Sequence, residues 1–286
     1  MQEGGASVIE LGVPYTDPQA DGATIQHTNQ VAIAGGTDNV EACLKLLKEA
    51  RDMGLTIPVV LMGYYNPFYQ YGLDKLCADT KEHGGDGFIV VDLPPEEGRG
   101  IARACKKYGL SNVPLIAPTT TDERIGYLTK HASTFCYCVS VTGVTGARSE
   151  LPPDLEDFVS RVRSQTQLPL AVGFGISNPK MVNGVANVGD GVVVGSAILR
   201  ALEAAEATTE ARAKAVKDIV ADLCTGLNQG DGAKNQSSAV GQVVDVADGE
   251  DEAALKARFG RFGGQYIPET LSEAFREIEE LVLLWF

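Results

Sequence analysis

The chain has 286 residues, 44% of them apolar and 22% charged, a balance that suits a globular domain in water. A formal net charge of −14 argues against a nucleic-acid partner, whose phosphates need a cationic face, but leaves room for a small phosphorylated ligand held by backbone N–H groups. No apolar run reaches the roughly 18 residues of a membrane span, and the six cysteines are scattered without a C-x-x-C pair, which points to a reducing, cytoplasmic setting.

Short runs rich in Val, Ile and Leu recur at 8–13, 58–63, 87–92, 113–117, 135–141, 169–173 and 191–195. Runs of that length and composition read as parallel strands covered on both faces. Helical patterns lie between them. In 38–53 the residues Val40, Cys43, Leu44, Leu46 and Leu47 mark one face, and Gly54 is a stop. Further helices are expected at 74–82, 96–108, 122–130, 155–164 and 179–186. Cys136 and Cys138 would share one side of a strand as small buried hydrophobes. Such an alternation builds either an open doubly wound sheet or a (β/α)8 barrel. The absence of a G-x-G-x-x-G turn after the first strand weakens the dinucleotide-binding version.

Met1–Ala6 reads like the end of a helix, and only seven strands are counted, so a first strand–helix unit is expected to be missing. Residues 1–224 form the expected α/β domain. Residues 225–252, rich in Gly, Asp, Asn, Gln and Ser, read as an acidic, flexible linker. Residues 253–286 carry Phe259, Phe262, Gly263, Gly264 and Tyr266 before an amphipathic stretch, and are too few for a core of their own.

Glu10 interrupts the apolar run Val8, Ile9, Leu11, Val13, and the loop after it returns a second carboxylate, Asp21. A buried carboxylate is costly unless paired or neutralised, and two of them at one strand end can divide acid–base work. Equally, Glu10 could sit in a structural ion pair, with Asp17 or Asp21 capping a turn or helix. Gly173-Phe174-Gly175-Ile176-Ser177 and Gly195-Ser196-Ala197-Ile198 end the last two strands. Each places glycine where backbone approaches a ligand and a helix begins, as phosphate binding requires. Thr142–Gly146 holds too much glycine for packed helix and could be a mobile lid or an ordinary surface loop. Tyr64 and Tyr137 could line an aromatic pocket or sit in the core, and Asp92 could cap a turn or face the site. His27, His83 and His131 have no zinc-like spacing, so no metal site is expected.

These segments in this order resemble the α subunit of tryptophan synthase: IELGVPYTDPQADGATIQ from residue 9, PVVLMGYYNP from 58, VVDLPPEE from 90, SVTGVTGAR from 140, GFGIS from 173 and GSAI from 195. The stretch RFGRFGGQYIPETL from residue 258 resembles the start of the β subunit, as in the fused, fungal-type bifunctional enzyme. The resemblance implies a (β/α)8 TIM barrel and a retro-aldol lyase that cleaves indole-3-glycerol phosphate to indole and glyceraldehyde 3-phosphate. It implies Glu10 as general acid–base and Asp21 as the carboxylate that holds the indole N–H, with a low-dielectric pocket raising the pKa of Glu10 while Asp21 stays anionic. Met62, Tyr64, Val91 and Tyr137 would line the indole pocket, and Thr145 would close over substrate. Gly146, Phe174, Gly175, Gly195 and Ser196 would hold the phosphate. Asp17, Pro18 and Asn66 would meet the β-like domain, in cis or in trans, within a full-length homo-oligomer.

The β-like segment stops short of the pyridoxal-phosphate lysine. No cofactor is therefore implied for the α-like domain, and no tryptophan-forming step for this chain. With one strand fewer, a barrel has two open parallel edges. Turnover therefore stands against an alternative, a truncated fragment that keeps only ligand or β-partner binding.

Overall fold

The computed structural model describes residues 1–140, 151–173, 175–228 and Glu269. Its strands are β1 (Ile9–Gly12), β2 (Val59–Gly63), β3 (Gly87–Val90), β4 (Ser111–Val113), β5 (Leu115–Ile116), β6 (Cys136–Val139), β7 (Leu170–Gly173) and β8 (Gly191–Val193). All pair in parallel, in the orders β1-β2-β3-β4 and β5-β6-β7-β8. These are the seven expected runs. The run at 113–117 falls instead at 111–116 and is split at Pro114, which has no N–H to continue a ladder. The Pro114 carbonyl still accepts from the Tyr137 N–H at 3.0 Å, so β4 and β5 act as one kinked strand.

The intervening helices are α1 (Ala23–Ala34), α2 (Val40–Asp52), α3 (Tyr65–Tyr71), α4 (Leu73–Glu82), α5 (Arg99–Tyr108), α6 (Asp122–His131), α7 (Leu155–Arg163), α8 (Pro179–Ala186), α9 (Ser196–Ala204) and α10 (Thr209–Thr225). Side-chain caps from Asn39, Thr121, Asn178 and Thr208 start α2, α6, α8 and α10. Gly54 follows α2 with φ of 102°, a conformation open to glycine. The expected helix at 96–108 begins later, at Arg99, because 94–98 close into turns (Glu97 N–H to Pro94 O, Gly98 N–H to Pro95 O). Helix α1 was not legible: it has no apolar stripe and buries no residue.

Register sorts the side chains, because partners in a parallel ladder point the same way. Val60, Ile89, Val91, Val113, Leu115, Tyr137 and Val139 form one cluster, with Met62 and Val193 packed on it, in the interior enclosed by the strands. Leu61, Phe88 and Val90 pack outward with α2, α4 and α5. Cys136, Cys138, Leu170 and Val172 pack outward with α7 and α8. Cys136 and Cys138 are thus small core residues on one side of their strand.

One device occurs twice at the N-terminal ends of the strands. Arg51, closing α2, donates to the carbonyls of Leu55, Ile57 and Gly84 and pairs with Asp86 at 3.0 Å, while Asp86 accepts the Val59 N–H at 2.8 Å. Arg163, closing α7, donates to the Leu168 carbonyl and pairs with Asp190, which accepts the Leu170 N–H at 2.8 Å. Each Arg–Asp pair ties a helix end to the start of the next strand and to the strand beyond, fixing their register.

Burial falls off at the two ends of the arc. The central strands β3 and β6 are fully buried, whereas β1 and β8 are only partly so, and Val8 is 43% exposed. Among the described residues no ladder joins β8 to β1.

Candidate active site

Glu10 sits opposite Val60 in the β1–β2 ladder. It therefore shares the interior-facing side with Val60, while Leu11 packs outward. Loss of hydration pushes its carboxyl up from 4.5 to about 7. Among the described residues no ion pair involves Glu10, and loss of hydration is the cause of its shift.

The loop after β1 delivers Asp21 by short-range hydrogen bonds. Asp21 N–H donates to Pro18 O at 3.1 Å and Gln19 N–H to Asp17 O at 2.9 Å. Gln26, in the first turn of α1, donates to the Asp21 carbonyl at 2.9 Å. The Asp21 carboxylate is gripped by Tyr64, whose hydroxyl donates to Oδ2 at 2.8 Å and accepts the Ala20 N–H at 3.0 Å. Asp21 is therefore neither a turn cap nor a helix cap. Burial pushes its pKa up and the Tyr64 hydroxyl pulls it down. Both carboxylates are thus desolvated, and what separates them is the Tyr64 hydrogen bond, which favours the anion of Asp21 alone.

Tyr137 completes the group. It is 3% exposed, and both Glu10 and Asp21 help to hold its hydroxyl protonated, after burial. Room for its ring comes from Gly173: a Cβ there would lie 2.4 Å from the Tyr137 hydroxyl oxygen. Met62 and Val91 belong to the same interior cluster. Asp92 does not face the interior: its Oδ1 accepts the Tyr65 N–H at 2.6 Å and so anchors the start of α3.

Across the arc, β7 and β8 pair through Gly173 and Val193, which brings the Gly175 and Gly195-Ser196 turns side by side. Gly175 has φ of 78°, a conformation glycine favours. Gly195 precedes α9, whose N-terminus has no side-chain cap, and a Cβ built on Gly195 meets nothing within 4 Å. Open space at an uncapped helix start is suited to an anion. Phe174, Thr145 and Gly146 lie outside the described residues.

Asp17 and Asn66 are exposed and Pro18 is half-buried. Asn66 donates to the Tyr15 hydroxyl at 3.3 Å, and the Tyr15 ring lies 5.1 Å from that of Tyr64. The outer surface at Asn66 is thus two contacts from the Asp21–Tyr64 pair. No group of three His, Cys, Asp or Glu side chains that could hold a metal occurs among the described residues, and no described helix is long and apolar enough to cross a membrane.

Sequence reasoning named Tyr64 and Asp21 separately and missed their bond. It also missed Arg124, which pairs with Glu96 and with Glu269, both at 2.7 Å. A signal was present: a cation in the first turn of a helix opposes the helix dipole and needs a nearby carboxylate.

A parallel α/β arc with two desolvated carboxylates, one on its first strand and one on the loop after it, and an anion-ready pair of turns after its last two strands has the architecture of a barrel-type enzyme. Its sequence matches the family of the tryptophan synthase alpha chain over residues 1–228. It is 49% identical over 203 residues to the tryptophan synthase alpha chain of Roseiflexus castenholzii, covering 71% of this chain and 77% of that one. It is 40% identical over 292 residues to the tryptophan synthase of Saccharomyces cerevisiae, covering 98% of this chain but only 41% of the yeast protein. Tryptophan synthase subunit alpha from Legionella pneumophila superposes with a TM-score of 0.72 at 35% identity, over 79% of this chain and 84% of that one. The Mycobacterium tuberculosis tryptophan synthase structure gives 0.71 at 33% identity, over 80% and 84%. The chain belongs to the tryptophan synthase alpha chain family. Members of that family are lyases of tryptophan biosynthesis that cleave indole-3-glycerol phosphate, the α reaction, and act with a β partner.

Proposed function

We propose that this chain carries the α reaction: retro-aldol cleavage of indole-3-glycerol phosphate to indole and glyceraldehyde 3-phosphate. The observation that carries the reading is the pair of interior carboxylates, Glu10 raised to about 7 and Asp21 held by Tyr64. Cleavage needs a proton delivered to indole C3, a proton removed from the side-chain hydroxyl as it becomes the aldehyde, and a carboxylate opposite the ring N–H as that nitrogen becomes positive. A group titrating near neutrality can both give and take a proton, which is the role of Glu10. Asp21, fixed by a donor that favours its anion, takes the ring N–H. Met62, Tyr64, Val91 and Tyr137 form the apolar wall around the indole, with Phe174 and Thr145 completing it. Gly146, Gly175, Gly195 and Ser196 take the phosphate through backbone N–H groups.

The wider assignments follow from the relatives. Residues 1–224 act as the barrel domain, 225–252 as a linker, and 253–286 as the first part of a β-like domain in a fused enzyme. Asp17, Pro18 and Asn66 face the β-like portion. The α-like domain uses no cofactor, pyridoxal phosphate belonging to the β-like domain. The setting is cytoplasmic and the full-length form a homo-oligomer. A second reading, in which the site binds ligand or β partner without turnover, is favoured by β1 and β8, which are only partly buried and share no ladder among the described residues.

Indole release from indole-3-glycerol phosphate by the purified chain tests both. Release that disappears in Glu10→Gln supports the lyase. A chain that melts cooperatively and is stabilised by a phosphorylated ligand, yet releases no indole, supports the second reading.

A further inference from the structure

The loop after β5 is held rigidly from below. Arg161, on α7, donates to the carbonyls of Pro118 and Thr120, each at 2.6 Å, and to Asp122 at 3.1 Å. Thr120 is 1% exposed, and its hydroxyl accepts the Ala117 N–H at 3.0 Å, closing the loop on itself. The same hydroxyl donates to Glu269 Oε2 at 2.7 Å. Arg124, in the first turn of α6, donates from Nε to Glu269 Oε1 at 2.7 Å and from Nη1 to Glu96, and its Nη2 forms an ion pair with Glu269 Oε1 at 2.7 Å. Glu269 is 7% exposed although 149 residues separate it from Thr120.

This constellation is built for a carboxylate. Burying a charged side chain costs several kcal/mol unless charge-assisted hydrogen bonds and an opposite charge replace its water, and Glu269 accepts two such bonds, from Thr120 and Arg124 Nε, and pairs with the Arg124 guanidinium. Glu96 alone does not satisfy the site: it engages Arg124 through Oε1, while its buried Oε2 has no hydrogen-bond partner among the described residues. A shallow groove runs beside it between α5 and α6, lined by Pro94, Gly98, Tyr127, Leu128 and His131, and Glu269 forms part of its wall. The loop leaves the C-terminal end of its strand, the end of the barrel at which the Asp21 loop also emerges.

We propose that Thr120 and Arg124 form a carboxylate socket on the catalytic end of the barrel, and that Glu269 of the same chain docks there. The occupant is acidic and in cis. The inference goes beyond the proposed reaction and needs no turnover.

Hydrogen–deuterium exchange on the full chain tests it. Glu269→Ala and Arg124→Ala should each speed exchange of the amides in 117–131 by about tenfold. The double variant should go no further than either single one, because both remove the same contact. Thr120→Val, which keeps the shape and removes the donor, gives a smaller rise in the same peptide and guards against an Arg124→Ala variant that merely unravels α6. Exchange indifferent to Glu269→Ala, or effects of the two variants that add, would overturn the docking. A protection that fades on tenfold dilution would overturn the assignment in cis. Intact coupling in a chain that releases no indole would leave the docking standing and remove only the lyase.

Discussion

The hydroxyl of Tyr64 spans two consecutive residues of the loop after β1, donating to the Asp21 carboxylate at 2.8 Å while accepting the Ala20 N–H at 3.0 Å. One aromatic side chain at the end of β2 thus fixes both the position of a neighbouring carboxylate and the loop that carries it. Tyr64→Phe keeps the ring in the interior cluster and removes both bonds. Asp21 then loses the interaction that lowers its pKa, while burial, which raises it, remains. The acid limb of the pH profile of kcat/KM should move to higher pH, and kcat should fall about tenfold to a hundredfold. An acid limb that stays in place would mean that Asp21 does not set it.

Glu10 offers a prediction in stability as well as rate. Its proton is held more tightly in the folded chain, at about 7, than at the ordinary value of 4.5. Between those values the folded state binds more protons than the unfolded one, so this residue's contribution to stability is lost as pH rises through that window. Glu10→Gln, which cannot ionise, should be more stable than the parent above pH 7 by up to about 3 kcal/mol, with the gap closing below the unfolded value. Denaturant melts at several pH values measure it. Indole release should drop by about a thousandfold or more, as expected for loss of a proton-transferring group in a preorganised site. A variant less stable than the parent above pH 7 would place Glu10 in a compensating network.

How far the sequence could be read follows from what each signal depends on. The seven runs were visible because strands covered on both faces must be apolar throughout, and Leu170–Gly173 or Cys136–Val139 cannot be otherwise. Helices α1, α3 and α10 were missed, and for α1 the reason is plain: it buries no residue, so its sequence was free of the periodicity by which a packed helix is recognised. The break at Pro114 was legible in principle, since proline cannot donate to a ladder. The site divides likewise. Glu10 stood out because a carboxylate in an apolar strand is costly. The Tyr64–Asp21 bond and the Glu269–Arg124 pair join residues 43 and 145 positions apart, and no local pattern encodes such pairings.

Gly173 and Tyr137 divide one volume in the interior. A Cβ at 173 would lie 2.4 Å from the Tyr137 hydroxyl oxygen and 2.9 Å from Val193 Cβ, so Gly173→Ala forces the tyrosine ring or the β7–β8 ladder to shift. Overpacking of this kind costs about 1–3 kcal/mol. Adding Tyr137→Phe removes the atom in closest conflict and should recover part of the loss. Chemical denaturation of the two single variants and the double variant supplies the coupling. Additive losses would mean that the Val193 contact, rather than Tyr137, carries the strain.

Gly195 separates binding from folding. Its φ of −114° is open to other residues, a Cβ there meets nothing within 4 Å, and it stands at the N-cap of α9, where no side chain caps the helix. Asp is a favoured N-cap residue and its charge suits the positive end of the helix dipole. Gly195→Asp should therefore leave thermal stability unchanged or raise it by about a few tenths of a kcal/mol. The same carboxylate would occupy the backbone N–H groups proposed for the substrate phosphate and repel it. KM for indole-3-glycerol phosphate should rise by about a hundredfold, with inorganic phosphate losing its ability to inhibit in parallel. Gly195→Ala, which adds the Cβ without the charge, should change KM little. Equal KM values for the Asp and Ala variants would place the phosphate elsewhere on the barrel.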